Sequence, residues 1–295
     1  MGEIRDIGSE HFDHSDYIWY RELHERNFGL TLGVNKIHEV TESEFQTIEV
    51  IENPTLGKAL VLYGSLMVAD NDNNAYNEML THVPLFSHPK PKKTLIIGGG
   101  DCGALTEITK HPEVESITMC EIDEKVVEVS KRHFPNLTAG LSDPRVTMLF
   151  EDGKKYIEDS DDKFDIIMLD LSDPVGPAAD LFEKEFHQAV YDHLSDDGIM
   201  VAQSEAPTLN KQIIKKMYAH LRPIFPIVDM YTCHMPIYPS SLWSFAYCSK
   251  KYHPVDDLDQ ARWDQLKLKT RYYNPEVHRA AFAHQPFIKE LLAES

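Results

Sequence analysis

The chain has 295 residues, of which 42% are apolar and 26% are charged, an ordinary balance for a globular protein with its own core. Its 48 acidic residues outnumber its 29 basic residues, which gives a formal net charge of −19. Binding to nucleic acid or to an anionic membrane surface depends on clustered Lys and Arg, so we expect neither partner. A cationic small-molecule substrate is compatible with this charge.

Targeting signals and cysteine usage indicate the compartment. No stretch of about 18 apolar residues occurs, so the sequence predicts no membrane span. The segment Met1–Ser15 is polar and lacks the apolar run of a secretory signal. The cysteines Cys102, Cys120, Cys233 and Cys248 form no Cys-x-x-Cys pair, which is typical of reduced thiols. We therefore expect a cytoplasmic protein.

Two patterns divide the chain into predicted domains at residues 1–70 and 71–295. Residues 30–70 alternate between apolar and polar positions as short strands do, with turn residues at 53–57 and at Gly64. This pattern predicts a small N-terminal antiparallel β-domain.

A helical apolar spacing begins the second predicted domain, from Asn73 to Phe86, and we expect Pro84, Pro89 and Pro91 to end that helix. Predicted strands and helices then alternate as far as residue 202. The predicted strands are 94–97, 116–120, 146–150, 164–169 and 198–202. Such alternation predicts an α/β fold with a doubly wound, mostly parallel sheet.

Four consecutive predicted strands lead into an acidic residue: Asp101, Glu121, Asp152 and Asp170. Ligands of an open parallel sheet bind at the carboxyl ends of its strands, so these acids mark a candidate site. The glycine loop Gly98–Gly100 lets the backbone approach a ligand closely. Asp101 would repel a phosphate, Glu121 suits a ribose diol, and Asp152 can accept a hydrogen bond from an adenine amino group. Together they fit an adenosine with a cationic tail.

The stretch 170–177 places two carboxylates, Asp170 and Asp173, three residues apart among two prolines and a glycine. Rigid carboxylates at a strand end can bind and deprotonate an amine. They can also hold a divalent metal ion, which is the open alternative. No histidine or further ligand accompanies them in this stretch, so we predict no metal site.

Six motifs, taken together, are specific: Leu95–Asp101, Cys120–Asp123, Asp143–Val146, Asp170–Pro177, Tyr238–Trp243 and Tyr272–His278. Through them the chain resembles, from about Trp19 to Phe287, the polyamine aminopropyltransferases, most closely those of the spermidine synthase type. The resemblance implies that an aminopropyl group moves from decarboxylated S-adenosylmethionine to a diamine, releasing 5′-methylthioadenosine. It also implies a β-domain before a Rossmann-like, methyltransferase-like domain, a homodimer or homotetramer, and no cofactor, since the decarboxylated nucleoside is a co-substrate.

The same resemblance implies a role for individual residues. Asp170 would deprotonate the attacking amine with help from Tyr76, while Asp101 would hold the amine of the aminopropyl arm. The residues implied to bind the donor are Asp101, Glu121 at the ribose, Asp152 and Gly153 at the adenine, and Gln46, Gly98, Gly100 and Pro177. The residues implied to bind the acceptor are Asn77, Asp173, Gln203, Glu205, Tyr238 and Trp243. For Trp243, packing in the core is an equally good explanation.

The chain departs from the family pattern around Tyr76, which leaves the acceptor open. Asn73-Asn74 stand where the family usually has Glu-Phe, and Asn77 stands for His or Gln. The other departures are Tyr63 for Asp, Cys102 for Gly, Thr106 for Arg and Ser241 for Gly. Putrescine, which would give spermidine, is the default acceptor, with agmatine, cadaverine, diaminopropane or a longer amine as alternatives.

Two other functions remain as alternatives. The first is an S-adenosylmethionine methyltransferase, which shares the expected fold. Its donor keeps a carboxylate that Asp101 would repel. The second is a non-catalytic relative that binds polyamine or nucleoside. The retained Asp170 and Asp173 oppose that second function.

Overall fold

The computed structural model describes residues 17–25, 28–172 and 181–295. The chain forms two compact units, which divide between Asn71 and Asp72. Among the described residues, no helix is long and apolar enough to cross a membrane.

The first unit is built from antiparallel strands. Two strands form a hairpin sheet, β1 (Ile18–Glu25) and β2 (Phe28–Val34). Four more form a second sheet in chain order: β3 (Lys36–Glu42), β4 (Thr47–Asn53), β5 (Gly57–Leu62) and β6 (Ser65–Ala69). Between β5 and β6 the residues Tyr63 and Gly64 both have positive φ, 50° and 79°, as a tight two-residue hairpin loop requires.

The second unit is built on a seven-stranded sheet. Its strands are β7 (Lys93–Gly98), β8 (Ser116–Glu121), β9 (Val146–Phe150), β10 (Phe164–Asp170), β11 (Leu194–Gln203), β12 (Ile227–His234) and β13 (Leu242–Ser249). They lie in the order β9-β8-β7-β10-β11-β13-β12. Strand β13 runs opposite to the other six of these strands, so its pairs with β11 and β12 are antiparallel and the remaining pairs are parallel. The predicted α/β sheet after a small antiparallel β-domain is confirmed.

Helices cover both faces of this sheet. They are α1 (Asn74–Ser87), α2 (Gly103–Thr109), α3 (Glu124–His133), α4 (Gly153–Asp159), α5 (Lys184–His193), α6 (Lys211–Leu221), α7 (Gln260–Leu266), α8 (Pro275–Ala281) and α9 (Pro286–Ala293). Alternate residues of one strand point to opposite faces, so Ile96 of β7 joins one apolar core while Leu95 and Ile97 join the other. The strand order reverses between β7 and β10, and ligands bind at such a point.

The expectation that Pro84 ends the first helix is wrong. Helix α1 runs through Pro84 and ends at Ser87. A proline inside a helix costs about 3 kcal/mol, because it removes one hydrogen bond and crowds the preceding turn. The last turn is nevertheless closed, since the N–H of His88 donates to the Pro84 carbonyl and the Ser87 hydroxyl donates to Val83. Thirteen of the fourteen α1 residues are buried, and this packing outweighs the local preference.

Candidate active site

The carboxyl ends of β7 and β10 meet at the point where the strand order reverses. Gly98 pairs with Asp170 across the two strands, and the Gly99 N–H donates to the Asp170 carbonyl at 2.9 Å. Gly98 has φ +83°, and a Cβ at this position would lie 2.2 Å from the Asp170 carbonyl oxygen. Any other residue would push the loop away, so this glycine is what allows the loop to press against Asp170.

A tyrosine holds the carboxylate of Asp170. The Tyr76 hydroxyl, from the first turn of α1, donates to Asp170 Oδ1 at 2.6 Å. The Tyr76 ring is buried against Phe245 at 5.2 Å and meets Tyr238 edge-on at 5.8 Å. Burial and the Asp170 charge raise the pKa of Tyr76 well above its usual value, so it remains a protonated donor. This hydrogen bond fixes Asp170 Oδ1, and among the described residues no hydrogen bond reaches Oδ2.

A second carboxylate, that of Asp101, is close enough to Asp170 to interact with it electrostatically. Asp101 follows the glycine loop, and its Oδ1 accepts the Gly103 N–H at 2.6 Å. Asn77 packs closely here, since a Cβ added to Gly103 would lie 2.2 Å from Asn77 Nδ2. Asn77 is 3% exposed, and its Oδ1 has no hydrogen-bond partner in the described part of the chain. Asn77 Oδ1 is therefore a buried acceptor close to Gly103, next to the loop that carries Asp101.

The electrostatics of these acids favour a cationic ligand. Burial raises the pKa of Asp101 and of Asp170, and the Asp101 charge raises that of Asp170 further. The Tyr76 hydrogen bond acts in the opposite direction on Asp170. Burial also raises the pKa of Glu121 to about 7. An ammonium or sulfonium group would relieve the repulsion among these carboxylates, whereas a phosphate or carboxylate would increase it.

The two acids at the next strand ends occupy different environments. Glu121 is 8% exposed, and its Oε1 accepts the Asp123 N–H at 2.8 Å. A Cβ at Gly100 would lie 3.2 Å from Glu121 Oε2, so the loop and this carboxylate are close. Asp152 is exposed and caps α4, with its Oδ1 accepting the Lys154 N–H at 2.8 Å.

Gly153 brings the Asp152 turn against the centre of the sheet. A Cβ at Gly153 would lie only 2.3 Å from Cγ2 of Ile97, near the end of β7. The turn after β9 therefore lies against the end of β7, where the glycine loop begins.

Four of the expected acceptor-side residues lie around the ends of β11 and β13. Tyr238 and Trp243 meet edge-on at 4.7 Å, and Tyr238 also contacts Tyr76. Glu205 is 2% exposed and has φ 69°, and its N–H donates to Gln203 Oε1 at 3.1 Å. Trp243 packs in the core, where it is 5% exposed, and its ring also contacts Tyr238, so its role at the acceptor stays a prediction.

Three of the expected residues do not belong to the described part of the second unit. Gln46 belongs to the first unit, directly before β4. Asp173 and Pro177 lie outside the described residues. Conversely, sequence reasoning missed Phe245, which supports Tyr76, and Glu78, which accepts three backbone N–H groups. The signal for Glu78 was a carboxylate in a helix that is otherwise largely apolar.

The described residues include a separate group with metal-ligand spacing, His88, Asp165 and Asp197, whose ligand atoms lie within 4.8 Å of one another. Asp165 is near the start of β10, at the opposite end from Asp170. The Lys90 N–H donates to His88 Nδ1 at 3.1 Å, which places the proton of a neutral imidazole on Nε2. That nitrogen lies 3.6 Å from Asp197 Oδ1, and both oxygens of Asp165 already accept hydrogen bonds, from Lys92, Lys93 and Ser195, so hydrogen bonds within the fold account for this group.

Comparison with known proteins places this geometry in a family. Residues 73–259 match the family described as "Spermine/spermidine synthase domain", and residues 18–70 match the "Spermidine synthase tetramerisation domain". The chain is 41% identical over 275 residues to the polyamine aminopropyltransferase of Bacillus subtilis, covering 93% of this chain and 99% of that protein. It is 42% identical over 287 residues to that of Methanocaldococcus jannaschii, covering 96% and 98%.

Solved structures show the same likeness. A crystal structure of spermidine synthase in complex with the transition-state analogue AdoDATO is similar, with TM-score 0.91, 38% identity and coverage of 94% of this chain and 96% of that one. The spermidine synthase from Thermotoga maritima is similar with TM-score 0.88 and 37% identity, covering 94% and 95%.

Proposed function

The chain belongs to the spermine/spermidine synthase family of polyamine aminopropyltransferases, and on that premise we propose that it converts putrescine to spermidine. The aminopropyl group would come from decarboxylated S-adenosylmethionine, with 5′-methylthioadenosine as the second product. The observation that carries the proposal is Asp170, held at 2.6 Å by Tyr76 in a neighbourhood that contains a second raised-pKa carboxylate, Asp101.

The proposed reaction needs a base, and it needs the reacting atoms to be aligned. Putrescine is an ammonium ion at neutral pH, and its nitrogen must lose a proton before it has a lone pair. Asp170 takes that proton. The nitrogen then forms a bond to the carbon beside sulfur as the carbon–sulfur bond breaks, and the electron pair leaves with sulfur as a neutral thioether. The sulfonium is already a good leaving group, so the proposed reaction needs no cofactor and no metal. Alignment of the reacting atoms supplies about 7–11 kcal/mol.

Asp101 is the proposed determinant of the donor. The decarboxylated nucleoside presents an ammonium at the end of its aminopropyl arm, which a buried carboxylate attracts. Intact S-adenosylmethionine carries an additional carboxylate at the same end, which Asp101 repels. Glu121 and the Asp152-Gly153 turn are proposed to bind the ribose and the adenine, with Gln46 and Pro177 as further candidates. This argument also disfavours the methyltransferase alternative.

The acceptor is the less constrained substrate. Asp173, Gln203, Glu205, Tyr238 and Trp243 remain our candidates to hold the amine chain. Asn73-Asn74 and Asn77 change the charge and volume around Tyr76 relative to the family pattern. We therefore expect a shifted or broadened range of short diamines rather than a loss of activity.

Self-association is proposed to involve the first unit. That unit carries exposed apolar side chains on its strands, among them Ile18, Leu23 and Val40, which are 62%, 64% and 58% exposed. Strand β3 is an edge of its sheet, and exposed edges are commonly covered by a partner. The match to a tetramerisation domain supports a homotetramer, with a homodimer as the alternative. The four buried, free cysteines support a cytoplasmic location.

Product analysis tests the proposal. The wild-type protein is incubated with decarboxylated S-adenosylmethionine and, separately, diaminopropane, putrescine, cadaverine and agmatine. We expect release of 5′-methylthioadenosine together with an aminopropylated amine, identified by mass. If all four amines stay unreacted, the proposed transfer is wrong. Formation of S-adenosylhomocysteine from intact S-adenosylmethionine would instead show a methyltransferase. Light scattering that gives a stable monomer would remove the assembly proposal.

A further inference from the structure

We propose that Glu78 is a positioning residue for the acceptor side of the site, acting through the segment 271–273. The inference rests on the proposed aminopropyl transfer. Glu78 follows Tyr76 by two residues in the first turns of α1, and it is 1% exposed. Its carboxylate does not reach toward Asp170 but toward a segment almost two hundred residues later in the chain.

The contact consists of three charge-assisted hydrogen bonds. Glu78 Oε1 accepts the N–H of Arg271 at 2.9 Å, and Oε2 accepts those of Tyr272 and Tyr273 at 2.8 and 2.7 Å. A buried carboxylate that receives three backbone N–H groups fixes the segment that supplies them. The segment 271–273 is therefore held against the same helix that carries Tyr76.

Tyr272 continues this path toward the acceptor side. Its hydroxyl accepts the N–H of His234 at 3.0 Å, at the last residue of β12. From there the chain turns directly into Tyr238, whose N–H donates to the Met235 carbonyl at 3.0 Å. The end of β12 thus begins the short turn that presents Tyr238 to Tyr76 at 5.8 Å.

Asp72 makes a second link between the start of α1 and the same turn. Its Oδ2 accepts the N–H of Ile237 at 3.0 Å, one residue before Tyr238. Two carboxylates on either side of Tyr76 in the sequence thereby hold the backbone that leads to Tyr238. Two sets of hydrogen bonds therefore fix the distance between Tyr76 and Tyr238. The short set runs through Asp72 and Ile237, and the longer set runs through Glu78 and the segment 271–273.

The number of backbone donors explains why a carboxylate is required at position 78. Two oxygens receive three N–H groups, and a glutamine offers only one oxygen and places an amide N–H₂ against backbone donors. In Glu78→Gln at least one N–H loses its partner, so the segment 271–273 and the His234 end of β12 shift. In the described part of the chain, Glu78 and the segment 271–273 make no hydrogen bond to Asp101 or the glycine loop, so we expect the donor side to be unchanged.

The test compares binding of the two substrates. For Glu78→Gln we expect a KM for the diamine raised about tenfold, with the Kd for 5′-methylthioadenosine unchanged within about twofold. Tyr272→Phe, which removes only the hydroxyl at His234, should show the same effect in weaker form. In the double variant the KM for the diamine should rise by less than the product of the two single increases, because both residues act through the same contacts.

Tyr273→Phe is the matched control. It removes the buried bond between the Tyr273 hydroxyl and His278 Nδ1 at 2.8 Å but keeps the Tyr273 N–H at Glu78. It should lower the melting temperature and leave the KM for the diamine unchanged. If the wild type transfers no aminopropyl group, the proposed function fails. If the wild type is active and the KM of neither Glu78→Gln nor Tyr272→Phe rises, or if Tyr273→Phe raises it equally, the positioning role is wrong.

Discussion

Strand β10 carries an aspartate near each end, and the two have opposite surroundings. At the amino end, Asp165 Oδ2 accepts the N–H groups of Lys92 and Lys93, at 2.8 and 3.0 Å, and Oδ1 accepts the Ser195 hydroxyl at 3.0 Å. At the carboxyl end, the Asp170 side chain receives one described hydrogen bond, from Tyr76.

This difference is the one we expect between a structural acid and the proposed functional one. Where the fold itself supplies enough donors, a carboxylate joins segments together and has no capacity for a ligand. Where the fold supplies few donors and adds further acids, the carboxylate is costly to ionise until a cation arrives. On the proposed function, the buried charge at the Asp170 end lowers stability in exchange for ligand binding, as functional sites commonly do.

The largest expected effect is obtained by removing the charge at each end in turn. Asp170→Asn keeps the shape but cannot take a proton, so turnover should fall about 10²–10⁴-fold with nucleoside binding largely retained. Asp165→Asn should retain turnover within about threefold but lose about 1–3 kcal/mol of stability, because the amide cannot accept from all three donors. Steady-state kinetics and urea unfolding measure the two. Turnover of Asp170→Asn within threefold of wild type would contradict the assignment.

The second effect is a dependence on pH, measured as the difference in melting temperature between Asp170→Asn and wild type. A carboxyl whose pKa is raised in the folded state stabilises the fold below its unfolded pKa, and this contribution is lost as pH rises through the folded pKa. Asp101, Glu121 and Asp170 all have raised pKa values, that of Glu121 to about 7.

At pH 4, close to the unfolded pKa of an aspartate, the variant and wild type should therefore melt within about 1 °C of each other, and by pH 8 the variant should be more stable by about 2–4 °C. Asp165→Asn serves as the control and should be less stable than wild type at both values. An Asp170→Asn variant that melts below wild type at pH 8 would show that this acid is structural as well.

The smallest effect concerns the backbone beside Tyr238. Ser240 and Ser241 both have positive φ, 60° and 58°, which a non-glycine residue adopts at a cost of about 1–2 kcal/mol. Ser241→Gly should raise the unfolding free energy by up to about 1 kcal/mol in urea. Ser240→Gly should gain less, because it also loses the Thr208–Ser240 hydroxyl bond at 2.6 Å. Equal gains in unfolding free energy for the two variants would mean that the Thr208–Ser240 hydrogen bond contributes nothing to stability.

The sequence predicted those features that arise from local patterning. Strand–helix alternation indicated the parallel sheet, and the acids after the strands indicated which edge carries Asp101 and Asp170. It was wrong at Pro84, where burial of the whole helix outweighed a local breaking signal. The Tyr76–Asp170 pair could be expected only from the family resemblance, since no spacing rule joins residues 94 positions apart. Glu78 was missed for the same reason, because its partners are distant backbone groups that carry no residue-type signal.

The central claim is that the acidic end of the sheet selects the cationic tail of the decarboxylated nucleoside. Calorimetric titration of the wild type and of Asp101→Asn with decarboxylated and with intact S-adenosylmethionine tests it most directly. We predict that the wild type binds the decarboxylated compound at least about tenfold more tightly. The Asp101→Asn variant should bind the decarboxylated compound more weakly than the wild type does, and its affinities for the two compounds should differ less. Equal affinity of the wild type for the two compounds would contradict the account.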